Sequence, residues 1–205
     1  MTGSTTRRDF VALCTAAFAM PGRQAYAASP AGKVEETTGE CTAARATAPS
    51  RSLTPSAEVF VGDVITTQVK STLGLLLGAA TRVRLGPETQ FRIDRFIVNA
   101  GGVLVLDRGA LLYDHDPKDG ATAVTVRSPF GLMAVRGTRF FAGPTKGEFS
   151  VFVERGEVMV TGVNTFVTLT GGQGTGIATA GAEPSPAVNW GKPRIAEAMA
   201  RVGLP

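Results

Sequence analysis

The chain has 205 residues, with 21 Lys and Arg against 17 Asp and Glu, one His and two Cys. Three of the basic residues (Arg7, Arg8, Arg23) and one acid (Asp9) fall within the first 27, so the remaining 178 carry 18 positive against 16 negative charges, a net +2 that excludes nucleic acid as a partner recruited by bulk charge. That remainder holds a single Cys, Cys41, which excludes an intrachain disulfide and leaves stability to a packed core of one-domain size.

The N-terminus reads as an export signal. Thr6-Arg7-Arg8-Asp9-Phe10-Val11 places paired arginines before the apolar run Phe10–Met20, and Ala25-Tyr26-Ala27 supplies the small residues of an A-x-A cleavage site. Residues 1–27 are therefore expected to be a twin-arginine-type signal peptide, with Arg7 and Arg8 as its recognition pair and Ala25 and Ala27 flanking the cut. No later apolar run approaches the roughly 18–20 residues needed to cross a bilayer, so the mature chain is expected to be soluble and periplasmic, with no transmembrane segment.

Beyond the signal, short alternating or apolar stretches recur every eight to twelve residues between Gly, Pro, Asp and Asn. Strands are predicted near Lys33–Thr38, Cys41–Ala46, Glu58–Val61, Thr67–Leu77, Thr81–Leu85, Thr89–Val98, Val103–Leu106, Ala110–Tyr113, Ala121–Arg127, Leu132–Val135, Arg139–Ala142, Phe149–Val153, Glu157–Thr161, Thr165–Leu169 and Gly174–Ala178. Residues 77–92 form a tandem octad, L-G-x-x-T-x-[VF]-R twice over. Its alternation puts Val83, Leu85, Phe91 and Ile93 in one phase and Arg82, Arg84 and Arg92 in the other, which predicts a core face backed by an arginine stripe on one sheet. A second self-similarity pairs Val105–Leu111 with Phe152–Val158, apolar-apolar-acid-Arg-Gly-x-apolar in each, and each copy reads as a hairpin. The predicted fold is all-β: a jelly-roll-like sandwich with partly solenoid-like stacked short strands.

The β domain is expected to span 28–179, followed over 180–205 by a linker and a C-terminal docking helix. In Lys192–Val202, Pro193 suits the first turn, Ile195, Met199 and Val202 make one apolar stripe, and Gly203 ends the helix. Trp190, the single tryptophan, either anchors this docking segment or offers a platform for a ligand.

Catalytic chemistry is hard to find. His115, the only histidine, lies in Tyr113-Asp114-His115-Asp116-Pro117, read as a solvated polar turn; a metal site would need further ligands at recognisable spacing. Gly171-Gly172-Gln173-Gly174-Thr175-Gly176 lacks the Lys-Ser/Thr of a phosphate loop. No nucleophile turn is present, and paired carboxylates such as Asp94 with Asp107 cannot be placed by sequence. The reading is non-enzymatic, with no catalytic residue, cofactor or metal assigned.

Several blocks together point to a family. Val59-Phe60-Val61-Gly62-Asp63-Val64-Ile65-Thr66-Thr67, the octads, Leu106-Asp107-Arg108-Gly109-Ala110-Leu111, Ala134-Val135-Arg136-Gly137-Thr138-Arg139-Phe140 and Val153-Glu154-Arg155-Gly156-Glu157-Val158 resemble, in order and spacing, the FecR domain family over Glu58–Ile177. The resemblance implies an all-β periplasmic domain of the kind found in regulators that relay receptor occupancy to a sigma factor and in stand-alone envelope proteins. Those regulators carry a cytoplasmic anti-sigma segment and a membrane span where this chain carries its signal.

Physically, Gly62-Asp63 reads as a turn in which Asp63 holds backbone N–H groups; Gly137 permits a bulge, and Thr138 satisfies a local backbone donor. Arg136 is expected to be partly buried and paired with Asp63 or Asp94. The functional expectation is a sensing or scaffolding module in envelope signal transduction, its partner an envelope protein, with Arg82, Arg84, Arg92 and Trp190 as the candidate interaction surface. The alternative is a module that binds carbohydrate or peptidoglycan.

Overall fold

A computed structural model describes residues 30–205 apart from 47, 98–99 and 120–122. The signal-peptide reading, with Arg7, Arg8, Ala25 and Ala27, lies outside the described residues. Sixteen strands and one helix follow in order: β1 (Pro30–Thr38), β2 (Cys41–Arg45), β3 (Ala48–Ser52), β4 (Glu58–Phe60), β5 (Val64–Thr67), β6 (Thr72–Leu77), β7 (Thr81–Leu85), β8 (Gln90–Ile97), β9 (Gly101–Arg108), β10 (Leu111–Asp114), β11 (Ala123–Ser128), β12 (Gly131–Thr145), β13 (Glu148–Thr161), β14 (Phe166–Thr170), β15 (Gln173–Ile177), β16 (Val188–Asn189) and α1 (Lys192–Ala200). A single 3-10 turn covers Pro117–Asp119.

All strands join one curled sheet that doubles over through two long bent strands. The first half of β12 pairs with β11 and with the second half of β13; its second half pairs with β10 and with the first half of β13, and the register breaks between Arg136 and Phe140. Beyond them, β13 continues to β14 on one flank and to β15 and β16 on the other. The first flank therefore runs β3-β2-β5-β8-β9-β11-β12-β13-β14, and the second runs β4-β1-β6-β7-β10-β12-β13-β15-β16. Apolar residues of both, among them Ile65, Phe91, Leu104 and Met133 from the first and Leu75, Val83, Tyr113 and Val151 from the second, form one continuous core. This is the expected all-β sandwich. Its solenoid-like element is β9–β10–β11, in which the chain leaves the first flank, visits the second and returns to pair β11 parallel with β9.

The octads build neighbouring strands in opposite flanks. β7 pairs with β6 and β10, whereas β8 pairs with β5 and β9. Val83, Leu85, Phe91 and Ile93 are all buried as their phase predicts. The second repeat does not make hairpins. Arg108-Gly109 is the corner from β9 to β10, and Arg155-Gly156 is the bend within β13; both glycines hold left-handed backbone (φ 89° and 88°) that a side chain resists. A Cβ at Gly109 would also strike Thr89, whose hydroxyl accepts the Ala110 N–H at 3.0 Å.

Other boundaries move for the same reason. The stretch predicted as one strand, Thr67–Leu77, is strand only from Thr72 onward as β6; 68–71 form a corner and β5 lies ahead of it, outside the predicted strands but for Thr67, while two pairs of predicted strands fuse into β12 and β13 because a bend keeps the ladder going. β3 and β16 lie outside the expected strands, since neither APSRS nor VN carries an apolar alternation.

Helix α1 lies on the outer face of the second flank. Leu112, Phe141 and Phe152, the outward phase of β10, β12 and β13, form a second cluster with Trp190, Ala198, Met199 and Val202. Pro193 sits in the first turn and Gly203 (φ 74°) follows the last, as the sequence indicates.

Candidate functional site

The two outer faces of the sandwich differ. On the second flank, the part not covered by α1 is an ion ladder across strands. Arg84 pairs with Glu36 over Gly74, where the missing side chain leaves room for the carboxylate, and Arg82 meets Glu35 at 3.3 Å. Asp114 takes Arg139 at 2.8 Å and Arg155 at 2.9 Å, and Arg139 also donates to Glu154 at 2.8 Å. Partial burial works against the Arg139 charge, but the bonds to Glu154 and Asp114 outweigh it and raise its pKa. Arg82, Arg84, Arg139 and Arg155 therefore each have an acid beside them, which leaves little net field for a charged partner there.

Arg92 is elsewhere. It lies on β8, on the outer face of the first flank, so the three octad arginines do not form one stripe. The repeat alternates in phase, but the corner between its copies carries the second arginine to the other sheet.

Trp190 is 7% exposed. One face of its ring stacks on Phe152 with centroids 4.9 Å apart, and the Arg194 guanidinium covers the other at 4.1 Å. Gly174 makes the dock possible, because a Cβ there would overlap the indole. Trp190 is thus an anchor for the C-terminal segment, and both faces on which a sugar would stack are taken.

The motif residues are built into the frame. Asp63 is fully buried; it pairs with Arg51, lies 4.0 Å from Arg45 and accepts the Phe60 N–H at 2.9 Å, while both arginines stand over the Phe60 ring at 4.8 and 5.3 Å. Gly62 (φ 87°) turns the chain there, donating its N–H to the Ile93 carbonyl at 2.7 Å. Gly137 (φ 61°) supplies the bend of β12.

Two expectations fail at this bend. Thr138 is buried, but its hydroxyl bonds to no described residue; its carbonyl instead accepts the His115 N–H at 3.0 Å. Arg136 is exposed, in the outward phase with Leu132 and Ala134 and opposite Glu157, while Asp63 is occupied by Arg51 and Arg45.

His115 is not solvated either. It is 2% exposed at the corner after β10, where its Nδ1 lies 3.1 Å from the Thr81 hydroxyl. Burial pushes the neighbouring Tyr113 phenol up to about 12 and raises the Cys41 thiol. Among the described residues, no three of His, Cys, Asp and Glu are placed to hold a metal.

The outer face of the first flank is the open one. Reading outward from Arg92, one cross-strand row runs through Val105, Arg127, Leu132 and Thr161 to Phe166, and the next includes Ala134, Met159 and Thr168. Leu132, Met159 and Phe166 are 42%, 43% and 65% exposed. Met159 is the diagonal neighbour of both others, so the three make one apolar patch. Arg92, Arg127 and Arg136 lie on the same face, and none of them has an ion pair among those seen in the described residues. Sequence reading missed this patch because Leu132 and Met159 stand in strands whose inward phase is equally apolar.

The middle of this framework is similar to a known family. Residues 63–159 match the FecR protein family. The matched span starts at the buried Asp63 and includes both octad strands, the β9–β11 coil, all of β12 and most of β13. Two crystal structures described as a candidate anti-sigma factor from Parabacteroides distasonis ATCC 8503 share the fold. One, at 1.65 Å, has TM-score 0.55 and 17% identity; the other, at 2.50 Å, has 0.54 and 16%. Each match covers 65% of this chain and 62% of that protein, so the chain spans less than two thirds of the relative's length. No curated protein matches by sequence. The edge strand β14 and the docked helix lie outside the FecR-matching region.

Proposed function

We propose that the chain is exported to the periplasm and acts there, without catalysis, as a protein-recognition module in envelope signal transduction. The observation that carries this reading is the FecR match over residues 63–159, which falls on the folded core. Likeness in fold to a candidate anti-sigma factor supports a regulatory setting. The paired arginines and the Ala25-Tyr26-Ala27 site support export.

The chemistry of the surface agrees with binding. His115 and Asp63 are buried and hydrogen-bonded within the frame, whereas the exposed patch of Leu132, Met159 and Phe166 on the first flank is apolar and stands beside Arg127 and Arg136. Such a surface associates with another macromolecule more readily than it performs proton transfer.

The test is chemical crosslinking of the whole chain in the native envelope, followed by denaturing purification and mass spectrometry. The reading predicts one envelope protein recovered reproducibly and at comparable abundance. Repeated capture without a specific protein contradicts it.

A further inference from the structure

A sheet that ends in an unpaired strand presents a row of free N–H and C=O groups, and proteins usually protect such edges with short strands, proline, charge or a bulge. The curled sheet has four ends: β3 and β14 on the first flank, β4 and β16 on the second. β4 has three residues and β16 two, and β3 contains Pro49 and Arg51. β14 differs from all of these. Its five residues, Phe166-Val167-Thr168-Leu169-Thr170, contain no charge, proline or glycine.

The ladder fixes which groups face outward. The Thr170 N–H turns away from β13 and is capped by the Gln173 side chain at 2.9 Å. By the alternation of an antiparallel pair, the N–H and C=O groups of Phe166 and Thr168 point the same way. The segment 179–187 ties β15 to the turn at Asn164 and Thr165 through Ser185 and Glu183, but it forms no ladder with β14. Beside the edge lies the patch of Phe166, Met159 and Leu132, extended by Val163, which is 69% exposed. Two and three strands further in, about 10 and 15 Å at the usual strand spacing, stand Arg136 and Arg127.

We propose that β14 is a strand-addition site: an extended segment of a partner protein pairs with the Phe166–Thr170 edge, sets apolar side chains against Phe166 and Val163, and continues across Met159 and Leu132 so that its carboxylates reach Arg136 and Arg127. Backbone pairing supplies affinity in this mode, and alternate side chains supply selection. The cations decide the kind of partner. A second copy of this chain would bring no excess of acid to this face, where Glu157 opposite Arg136 is the acid in the paired rows, whereas an acidic, apolar segment complements it. The inference rests on the binding function proposed above, and it adds the place and the chemistry of the partner.

A phage library of random 20-residue peptides, selected on the full chain, tests it. Enriched peptides should combine alternating apolar positions with acidic residues. Their affinity should fall at least tenfold on Thr168→Pro, which removes an edge N–H without removing a ladder bond, and severalfold on the pair Arg127→Glu and Arg136→Glu. Phe166→Glu should weaken binding independently if Thr168→Pro impairs folding, with circular dichroism confirming which variants fold. No enrichment, or peptides indifferent to all these variants, overturns the proposal. So does concentration-dependent dimerisation, seen by sedimentation and abolished by Thr168→Pro, because the occupant would then be a second copy. Because crosslinking in the envelope reports a partner wherever it binds, failure at this edge is separable from failure of the binding function.

Discussion

Val83 and Phe91 hold the same place in consecutive copies of the octad, yet they enter the core from opposite flanks of the curled sheet. The repeat is thus one passage around the end of the sandwich, two strands joined by a corner at Gly86. Phe91 is fully buried, so Phe91→Ala should cost about 3–5 kcal/mol in denaturant unfolding. Arg82→Ala, which removes an exposed pair with Glu35, should cost no more than about 1 kcal/mol.

Docking of the C-terminal segment depends on the absence of a side chain at position 174. Gly174→Ala forces a Cβ into the indole of Trp190 and should destabilise the protein by about 1–3 kcal/mol. Trp190 is the single tryptophan, so its emission reports the outcome directly: a shift to the red in folded Gly174→Ala, and none in folded Gly147→Ala, where left-handed backbone strains the added methyl but no neighbour meets it.

Tyr113 gives the fold a limit at high pH. Its phenol ionises at about 12 in the folded state against an ordinary value of 10.0, mainly because burial disfavours the charged form. Between these values the unfolded chain has released a proton that the folded chain retains, so stability falls as pH rises through that window and is unaffected below it. Tyr26→Phe leaves Tyr113 as the only tyrosine. Tyrosinate absorbance of that variant should titrate near 12 when folded and near 10 in guanidinium.

The core and the corners differ in how legible they were. Local period alone places Val83, Leu85, Phe91 and Ile93 in the core and a helix at the C-terminus, which ends at Ala200 and not at the expected Val202, because strand and helix periods are local properties. What alternation could not supply was the flank to which each strand belongs. That is set by corners, and a corner at Gly109 or Gly156 carries the same local signature as a hairpin turn. Arg82, Arg84 and Arg92 therefore share a phase without sharing a flank, and the phase of Arg136 turns it to solvent opposite Glu157, away from Asp63. For Trp190 the sequence leaves anchor and ligand platform open, since an indole beside a helix suits either, and its companion Gly174, within a glycine-rich run, gives no sign of the dock.

The proposed export rests on the first 27 residues and is open to a direct check. Lysines in place of Arg7 and Arg8 should hold the protein in the cytoplasm with its signal attached, as read by fractionation and intact mass. The unsubstituted protein should be found in the periplasm beginning at Ala28.

The proposed recognition surface is best tested in the living cell. A photoreactive phenylalanine analogue placed at Phe166, on the open edge, or at Arg82, on the neutralised face, should be illuminated in living cells and the products identified by mass spectrometry. The account predicts a discrete adduct with one envelope protein from position 166, abolished when Thr168→Pro is added, and none from position 82. The same adduct from both positions, or an adduct from position 82 alone, would contradict it.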